Sequence, residues 1–233
     1  IAAMAGTPTH AVVTLALPEK FDTARIEAIY AGMNALARKH GVAIVGGETT
    51  TNPERLLLSI ALLGTVPRSR QVLRSGAKSG DAIFVTGTLG GSLSGRHLEF
   101  EPRLAEARWL AERFTVHAMI DLSDGLAGDL QHILEASGAG ADLLASAIPI
   151  SRAAKLQTRE ESSAKPPLLA ALTDGEDFEL LFTVASRTAV PLLDAWKAQF
   201  PEVKLSCIGR ITSTSGLRVR DERGLREFNL RGY

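Results

Sequence analysis

Residues 118–126 read Ala-Met-Ile-Asp-Leu-Ser-Asp-Gly-Leu, so that an apolar run ends in two carboxylates and a hydroxyl. Apolar residues at helical spacing follow at once, namely Leu126, Leu130, Ile133 and Leu134. The pattern predicts a buried strand, a short acidic loop and then a helix. Asp121 and Asp124 are therefore expected in the loop that joins the strand to the helix.

The junction between this strand and this helix suits a charged ligand. The first turn of a helix has backbone N–H groups without intrahelical partners, and it carries the positive end of the helix dipole. Such a position can bind phosphate, and two neighbouring carboxylates can bind a hard cation. A simpler interpretation is equally open from this segment alone, in which Ser123 or Asp124 only caps the helix.

Two further segments place carboxylates beside short apolar runs. The run Val42–Val45 leads into Gly46–Thr50, which contains Glu48. The segment Gly175–Glu179 leads into the apolar run of residues 180–184. Each segment taken singly is compatible with an ordinary turn. Three such junctions in one chain favour a shared acidic site.

Hydrophobic patterning alternates strands with helices along the whole chain. Apolar and β-branched runs predict strands at 11–17, 42–45, 56–66, 82–86, 118–122, 141–145, 178–184 and 204–211. Helical spacing predicts helices at 22–39, 103–114, 125–137 and 187–200, the first of them bounded by Asp22 and by His40-Gly41. The polar stretch 157–165 is expected to be an exposed loop, and the tail from 213 a small hairpin. This alternation implies an α/β fold (α+β layered).

The glycine-rich run Gly87–Gly91 follows a predicted strand. It is not a Walker loop, because no Gly-Lys-Ser/Thr follows it. Two interpretations remain open. Either the backbone of this run approaches a nucleotide, or the run forms a tight turn.

Composition excludes several classes of function. Lys+Arg and Asp+Glu both number 26, so the formal net charge is zero and the basic surface of a nucleic-acid-binding protein is not indicated. No apolar run approaches the roughly 18 residues that span a membrane. Cys207 is the single cysteine, which excludes an internal disulfide and a thiolate zinc site and fits a cytoplasmic location. Its apolar neighbours predict a buried strand residue rather than a nucleophile.

Taken in order, these segments resemble the thiamine-monophosphate kinase family, which belongs to the ATP-binding superfamily of aminoimidazole ribonucleotide synthetase. The resemblance covers nearly the whole chain, through segments 1–6, 73–81, 85–90, 121–126, 174–182 and 231–233. It implies the two-domain fold of that superfamily. Residues 1–67 are expected to be the remainder of an N-terminal ATP- and metal-binding and dimerisation domain, and residues 68–233 a C-terminal α/β domain. The first domain is expected to be incomplete, because the family's Gly-Asp-Asp block precedes the segment that Ile1 begins.

The resemblance implies an enzyme that phosphorylates thiamine monophosphate to thiamine diphosphate with ATP and Mg²⁺. The γ-phosphoryl group is expected to pass directly and in line to the substrate phosphate, without a phosphoenzyme, and no residue is assigned as acid or base. The resemblance also implies a homodimer. Composition favours a cytoplasmic location and predicts no nucleic-acid or membrane partner.

The resemblance assigns three metal ligands. Asp121 and Asp124 are expected to hold Mg²⁺, together with Glu48, which stands where the family usually has Asp. The longer side chain of Glu48 moves its carboxylate outward by about one carbon–carbon bond, so that water can mediate its contact with the metal.

The remaining assignments concern the two substrates. Arg74 and Ser123 are expected at ATP, since a guanidinium can hold two phosphate oxygens at once. Glu176 is expected to receive the aminopyrimidine or the cation of thiamine, with Asp177 as an alternative contact. Tyr233 is expected to stack on the thiamine rings, because aromatic faces attract cations.

Two other functions stay open at this point. The chain is alternatively another member of the superfamily, such as a purine-pathway synthetase or a selenide kinase. It is alternatively a folded remnant that binds thiamine phosphates without catalysis.

Overall fold

The computed structural model describes residues 1–160 and 165–228. Within it the chain divides into two compact units. The first unit comprises Ile1 and Gly6–Arg68, and the second comprises Ala2–Ala5 and the chain from Ser69 onward.

The first unit contains one helix and a sheet of three strands. In chain order its elements are β1 (Thr7–Leu17), α1 (Thr23–Lys39), β2 (Ala43–Thr51) and β3 (Leu57–Thr65). Strand β1 lies in the middle, parallel to β2 and antiparallel to β3. The predicted start of α1 is confirmed, because the carboxylate of Asp22 accepts the N–H of Ala24 at 3.0 Å.

Burial in the first unit is concentrated on the central strand. Val13 and Leu15 of β1 are buried, whereas β3 is exposed along its whole length and α1 buries no residue. The exposed positions of β3 include large apolar side chains, among them Leu57, Leu58, Ile60, Leu62 and Leu63. This sheet therefore presents an apolar surface that its own unit does not cover.

The second unit is built on a sheet of seven strands in the order β10-β9-β6-β8-β4-β7-β5. Its strands are β4 (Asp81–Thr86), β5 (Val116–Asp121), β6 (Gly140–Leu144), β7 (Leu180–Ala185), β8 (Leu205–Thr212), β9 (Gly216–Asp221) and β10 (Gly224–Glu227). Its helices are α2 (Leu104–Arg113), α3 (Leu126–Ser137), α4 (Arg152–Glu160), α5 (Pro167–Thr173) and α6 (Ala189–Gln199). Neighbouring strands are antiparallel except for the parallel pair β6–β9.

Helices cover both faces of this sheet, as the period of its central strand requires. In β4, Ile83 and Val85 join one hydrophobic cluster, and Ala82 and Phe84 join the other. Helices α3 and α5 contribute buried side chains to the first cluster, and α2 and α6 to the second. The predicted layered α/β architecture is confirmed.

Three local predictions were wrong. Residues 157–160 lie in helix α4 rather than in a loop, while 161–164 fall outside the described residues. Glu48 lies within strand β2 rather than in a turn after it. Cys207 is exposed, because β8 turns this side chain away from the core into which Ile208 is packed.

None of the helices in the described part of the chain combines the length and the apolar character that crossing a bilayer requires.

Candidate functional site

The acidic loop, residues 121–125, follows the edge strand of the large sheet. Asp121 ends β5, which pairs antiparallel with β7, and α3 begins at Leu126. The side chains of Asp121 and Asp124 are exposed, and Ser123 between them is partly buried. Both residues lie between the end of a strand and the start of a helix, as predicted, and both carboxylates are exposed to solvent there.

The sequence left two roles open for the start of α3, namely phosphate binding by its N–H groups and capping by Ser123 or Asp124. Gly125 is the N-cap residue and no side chain caps the helix, so the capping role for Ser123 or Asp124 was wrong. Instead, the buried carboxylate of Asp129 in the first turn of α3 accepts the N–H groups of Ser123 and Asp124, both at 3.0 Å. These two N–H groups are therefore already bonded within the protein and are not free to bind phosphate.

Asp129 is the principal electrostatic feature that the sequence did not reveal. Burial raises the pKa of its carboxyl to about 6, and the nearby carboxylates of Asp124 and Asp121 add to the rise against the two backbone hydrogen bonds. The mutual repulsion of these acids means that a cation in the acidic loop would be electrostatically favoured.

The acid-turn segment, residues 174–179, lies directly beside the acidic loop. The N–H of Glu176 donates to the carbonyl of Ser123 at 2.8 Å, and the N–H of Phe178 donates to the carbonyl of Leu122 at 2.8 Å. A Cβ added at Gly175 would lie 2.5 Å from the carbonyl oxygen of Ser123, so only glycine allows the two backbones to approach this closely. Glu176 itself is exposed. The fold thus joins two of the three predicted acidic segments.

Two carboxylates of the acid-turn segment hold the glycine-rich run 87–91. The N–H of Gly90 donates to Asp177 at 2.9 Å, and the N–H of Gly91 donates to Asp174 at 3.2 Å. Of the two interpretations of this run, the structure supports the turn, because protein carboxylates bind these N–H groups. Asp177 is fully buried, which disfavours the alternative that it contacts substrate.

Behind the acid turn lies a partly buried ion-pair network that sequence analysis missed. Arg96 donates to Asp177 at 2.7 Å, and Arg103 donates to both carboxylate oxygens of Glu179 at 2.8 Å. Burial raises the pKa of Asp177 to about 6, although the Gly90 N–H and Arg96 oppose the rise. The hydrogen bond to Glu179 raises the pKa of Arg103.

A cleft of about 360 Å³ opens over this network. Phe100 and Phe178 line it and stack on each other, with ring centroids 4.2 Å apart. No local pattern in the sequence indicated this network, because Arg96 and Arg103 are 81 and 76 positions away from the acids that they bind.

Arg74 lies beside the strand that carries Asp121. The adjacent Leu73 carbonyl accepts the N–H of Met119 at 2.9 Å, and the Ser137 hydroxyl accepts the N–H groups of Gly76 and Ala77 at 3.2 Å. The Arg74 side chain is exposed. The loop is thus fixed by its backbone, and the guanidinium is left available.

Glu48 belongs to the first unit. It is exposed and stands opposite Thr14 in the parallel register of β1 and β2. Tyr233 lies outside the described residues.

The donor set in the acidic loop suits magnesium. Across residues 1–160 and 165–228, no three His, Cys, Asp or Glu side chains are close enough together to form a metal-binding group. Mg²⁺ is commonly held by one or two carboxylates together with waters and substrate phosphates. Asp121 and Asp124, both exposed and unpaired with any arginine or lysine among the ion pairs of the described chain, fit that requirement.

Comparison with known proteins gives consistent matches over both units. Residues 1–66 match the family described as AIR synthase related protein, N-terminal domain, and residues 78–222 match AIR synthase related protein, C-terminal domain. The chain is 44% identical over 220 residues to the thiamine-monophosphate kinase of Rhodopirellula baltica, covering 94% of this chain and 67% of that relative. It thus spans about two thirds of the length of that relative.

Solved structures with the same fold include the thiamine-monophosphate kinase of Stenotrophomonas maltophilia K279a. That structure matches with a TM-score of 0.80 at 33% identity, over 94% of this chain and 73% of the other. A second structure, described as AaThiL complexed with AMPPCP and TMP, matches with a TM-score of 0.77 at 29% identity, over 94% of this chain and 72% of the other.

Proposed function

Because the chain belongs to the thiamine-monophosphate kinase family of AIR synthase related proteins, we propose that it transfers the γ-phosphoryl group of ATP to the phosphate of thiamine monophosphate. The product is thiamine diphosphate. The transfer is direct and in line, with the substrate phosphate as nucleophile and no phosphoenzyme. Such a reaction needs charge neutralisation and positioning rather than covalent chemistry from the protein.

The observation that carries the proposal is the contact between the acidic loop and the acid turn. The 2.8 Å hydrogen bond from the Glu176 N–H to the Ser123 carbonyl joins the proposed thiamine contact to the proposed phosphate and metal site. The phosphate of a thiamine monophosphate bound at Glu176 would therefore lie close to the proposed cation site. A relative bound to an ATP analogue and to TMP supports this pairing of substrates.

Asp121 and Asp124 hold Mg²⁺ in this proposal, and Glu48 is proposed as a metal ligand of the first unit. When bound, Mg²⁺ neutralises charge on the ATP phosphates. The 3.0 Å hydrogen bonds from the Ser123 and Asp124 N–H groups to Asp129 keep the acidic loop in one conformation. The Ser123 hydroxyl and the Arg74 guanidinium bind the ATP phosphates, the latter in the two-oxygen geometry that arginine permits.

Glu176 receives the aminopyrimidine or the cation of thiamine. Its exposure and its position beside the acidic loop support this role. Tyr233 completes the site by stacking on the thiamine rings.

We also propose a homodimer, with the first unit as its interface. The apolar side chains exposed along β3 support this, since exposed apolar patches of this kind mark contact surfaces. Ile60→Glu should dissociate the dimer in sedimentation velocity measurements, while Glu54→Gln on the same unit should not. A wild-type protein that sediments as a monomer would reject this assembly.

Apart from Ala2–Ala5, the boundary between the two compact units falls between Arg68 and Ser69 along the chain. This boundary supports the proposed functional domains 1–67 and 68–233. A cytoplasmic location is proposed from the single cysteine, which requires no oxidising compartment.

The test is formation of thiamine diphosphate by the full-length protein with ATP and Mg²⁺, followed by chromatography. Asp124→Asn should lower kcat by about a hundredfold or more, because one cation ligand is lost. Asp194→Asn is a matched control, since Asp194 is also an exposed aspartate but lies on α6, which packs against the other hydrophobic cluster from α3. No turnover with thiamine monophosphate, together with turnover of a purine-pathway amidine or of selenide, would overturn the proposal.

A further inference from the structure

The acid turn contains an unusual run of backbone conformations. Glu176 and Phe178 have φ angles of +65° and +50°, the left-handed region that side chains other than glycine rarely adopt. Ala5 is the only other such residue in the described part of the chain. Conformations of this kind persist where surrounding contacts enforce them, and they cluster at functional sites. The question is which contacts enforce them here.

Asp177, between these two residues, is held by two groups. Its buried carboxylate accepts the Gly90 N–H at 2.9 Å and the Arg96 guanidinium at 2.7 Å. Arg96 is fixed in turn by the carbonyl of Thr88, to which it donates at 2.6 Å. Phe178 is also held, through its stacking on Phe100.

The inward position of Asp177 determines where Glu176 lies. With positive φ angles at Glu176 and Phe178, Asp177 lies buried, while the adjacent Glu176 is exposed and its N–H is bonded to the Ser123 carbonyl. Without the hydrogen bonds of Asp177, we expect Glu176 and Phe178 to leave their positive φ angles for more favourable backbone conformations. Relaxation would move the Glu176 carboxylate away from the acidic loop.

We infer that Asp177 is a positioning residue for thiamine monophosphate, which acts through Arg96 and Gly90 to hold Glu176 toward the acidic loop. This inference rests on the proposed function, and in particular on Glu176 as the thiamine contact. Asp177 does not touch the substrate in this scheme. Its contribution is therefore specific to the acceptor substrate and not to ATP.

The first experiment separates the two substrates. In the full-length protein, Asp177→Ala should raise KM for thiamine monophosphate by about tenfold or more. KM for ATP should change by less than about twofold, because a loss confined to acceptor binding leaves the other substrate unaffected. Asp177→Asn keeps an oxygen for the Gly90 N–H and should restore most of the affinity. Asp142→Ala is the control, because it removes a carboxylate in β6 that accepts from the Arg218 guanidinium at 2.7 Å, as Asp177 accepts from Arg96. It should leave both KM values unchanged.

A double-mutant cycle then tests whether Asp177 acts through Glu176. Glu176→Gln alone should raise KM for thiamine monophosphate. Adding Asp177→Ala to it should raise KM no further, because the group that Asp177 positions is already lost. Additive effects, or equal changes in both KM values, would overturn the inference. If Asp177→Ala does not fold, the same cycle with Arg96→Lys in its place, which removes the guanidinium that binds Asp177 at 2.7 Å, decides the question by the same criterion.

The wild-type assay keeps the two proposals distinguishable. A wild type without thiamine-phosphate kinase activity rejects the function and the inference together. An active wild type with an additive cycle rejects only the inference.

Discussion

Replacing Asp129 with Asn should stabilise the second unit at neutral pH. The Asp129 side chain is buried, with 2% of its surface exposed, and its pKa is raised from 3.8 to about 6, first by burial and then by Asp124 and Asp121. The folded state therefore keeps a proton that the unfolded chain releases. The contribution of the Asp129 carboxyl to the free energy of unfolding is fully present below pH 3.8 and is lost as pH rises through about 6.

The magnitude follows from the two pKa values. The interval from 3.8 to about 6 corresponds to about 3 kcal/mol, at about 1.4 kcal/mol for each pH unit. About 2 kcal/mol of this lies between about pH 4.5 and pH 7.5, because the unfolded carboxyl is already mostly ionised at the lower pH. Asparagine has no proton to lose and still offers an oxygen to the N–H groups of Ser123 and Asp124.

Urea unfolding in the presence of EDTA measures the effect, with tryptophan fluorescence as the signal. The chain has two tryptophans, Trp109 and Trp196, and both lie in the second unit, so the signal reports on the unit that contains Asp129. The free energy of unfolding of Asp129→Asn minus that of the wild type should rise by about 2 kcal/mol between the two pH values.

Glu135→Gln is the matched control for this measurement. Glu135 is exposed on the same helix α3, and its replacement changes the net charge by the same amount. Its difference from the wild type should not depend on pH. A difference for Asp129→Asn that is constant with pH, or that equals the control, would contradict the account of Asp129.

Three further measurements test other features. Gly87→Ala should destabilise the fold by about 2 kcal/mol or more, since φ is +63° and the new Cβ would lie 2.0 Å from an oxygen of Glu179. Gly138→Ala, at φ +62° in open space, measures the backbone cost alone. Thermal melts of both variants compare the two losses of stability, and equal losses would reject the steric explanation. Phe182→Ala should cost about 3–5 kcal/mol in urea unfolding, because the ring is fully buried; a loss below about 1 kcal/mol would count against its place in the core. Cys207 should react slowly with a disulfide reagent at neutral pH and faster above about pH 9, because desolvation by neighbouring atoms raises its pKa although it is exposed; fast reaction at neutral pH would be the contrary result.

Much of the secondary structure follows from patterns that neighbouring residues carry. Helix α1 begins at its predicted cap, Asp22, and α3 and β5 lie within a few residues of their predicted bounds. Local spacing determines these elements, because periodicity and capping depend on residues within one or two turns. For the same reason the position of Asp121 and Asp124 between the end of a strand and the start of a helix was predictable.

Contacts between distant segments were not predictable in this way. The pairing of Arg96 with Asp177 joins residues 81 positions apart, and that of Arg103 with Glu179 joins residues 76 positions apart. Nothing in the sequence near Asp177 distinguishes it from Glu176, yet one is buried and the other exposed. Which carboxylate loses its water depends on the order of strands in the sheet and on which loops that order brings together.

The local sequence thus determined where the helices form and where the acidic residues lie along the chain. Which of the acids face solvent, which are neutralised by arginine and which hold a neighbouring loop were settled by packing, because desolvation and ion pairing arise only once remote segments meet.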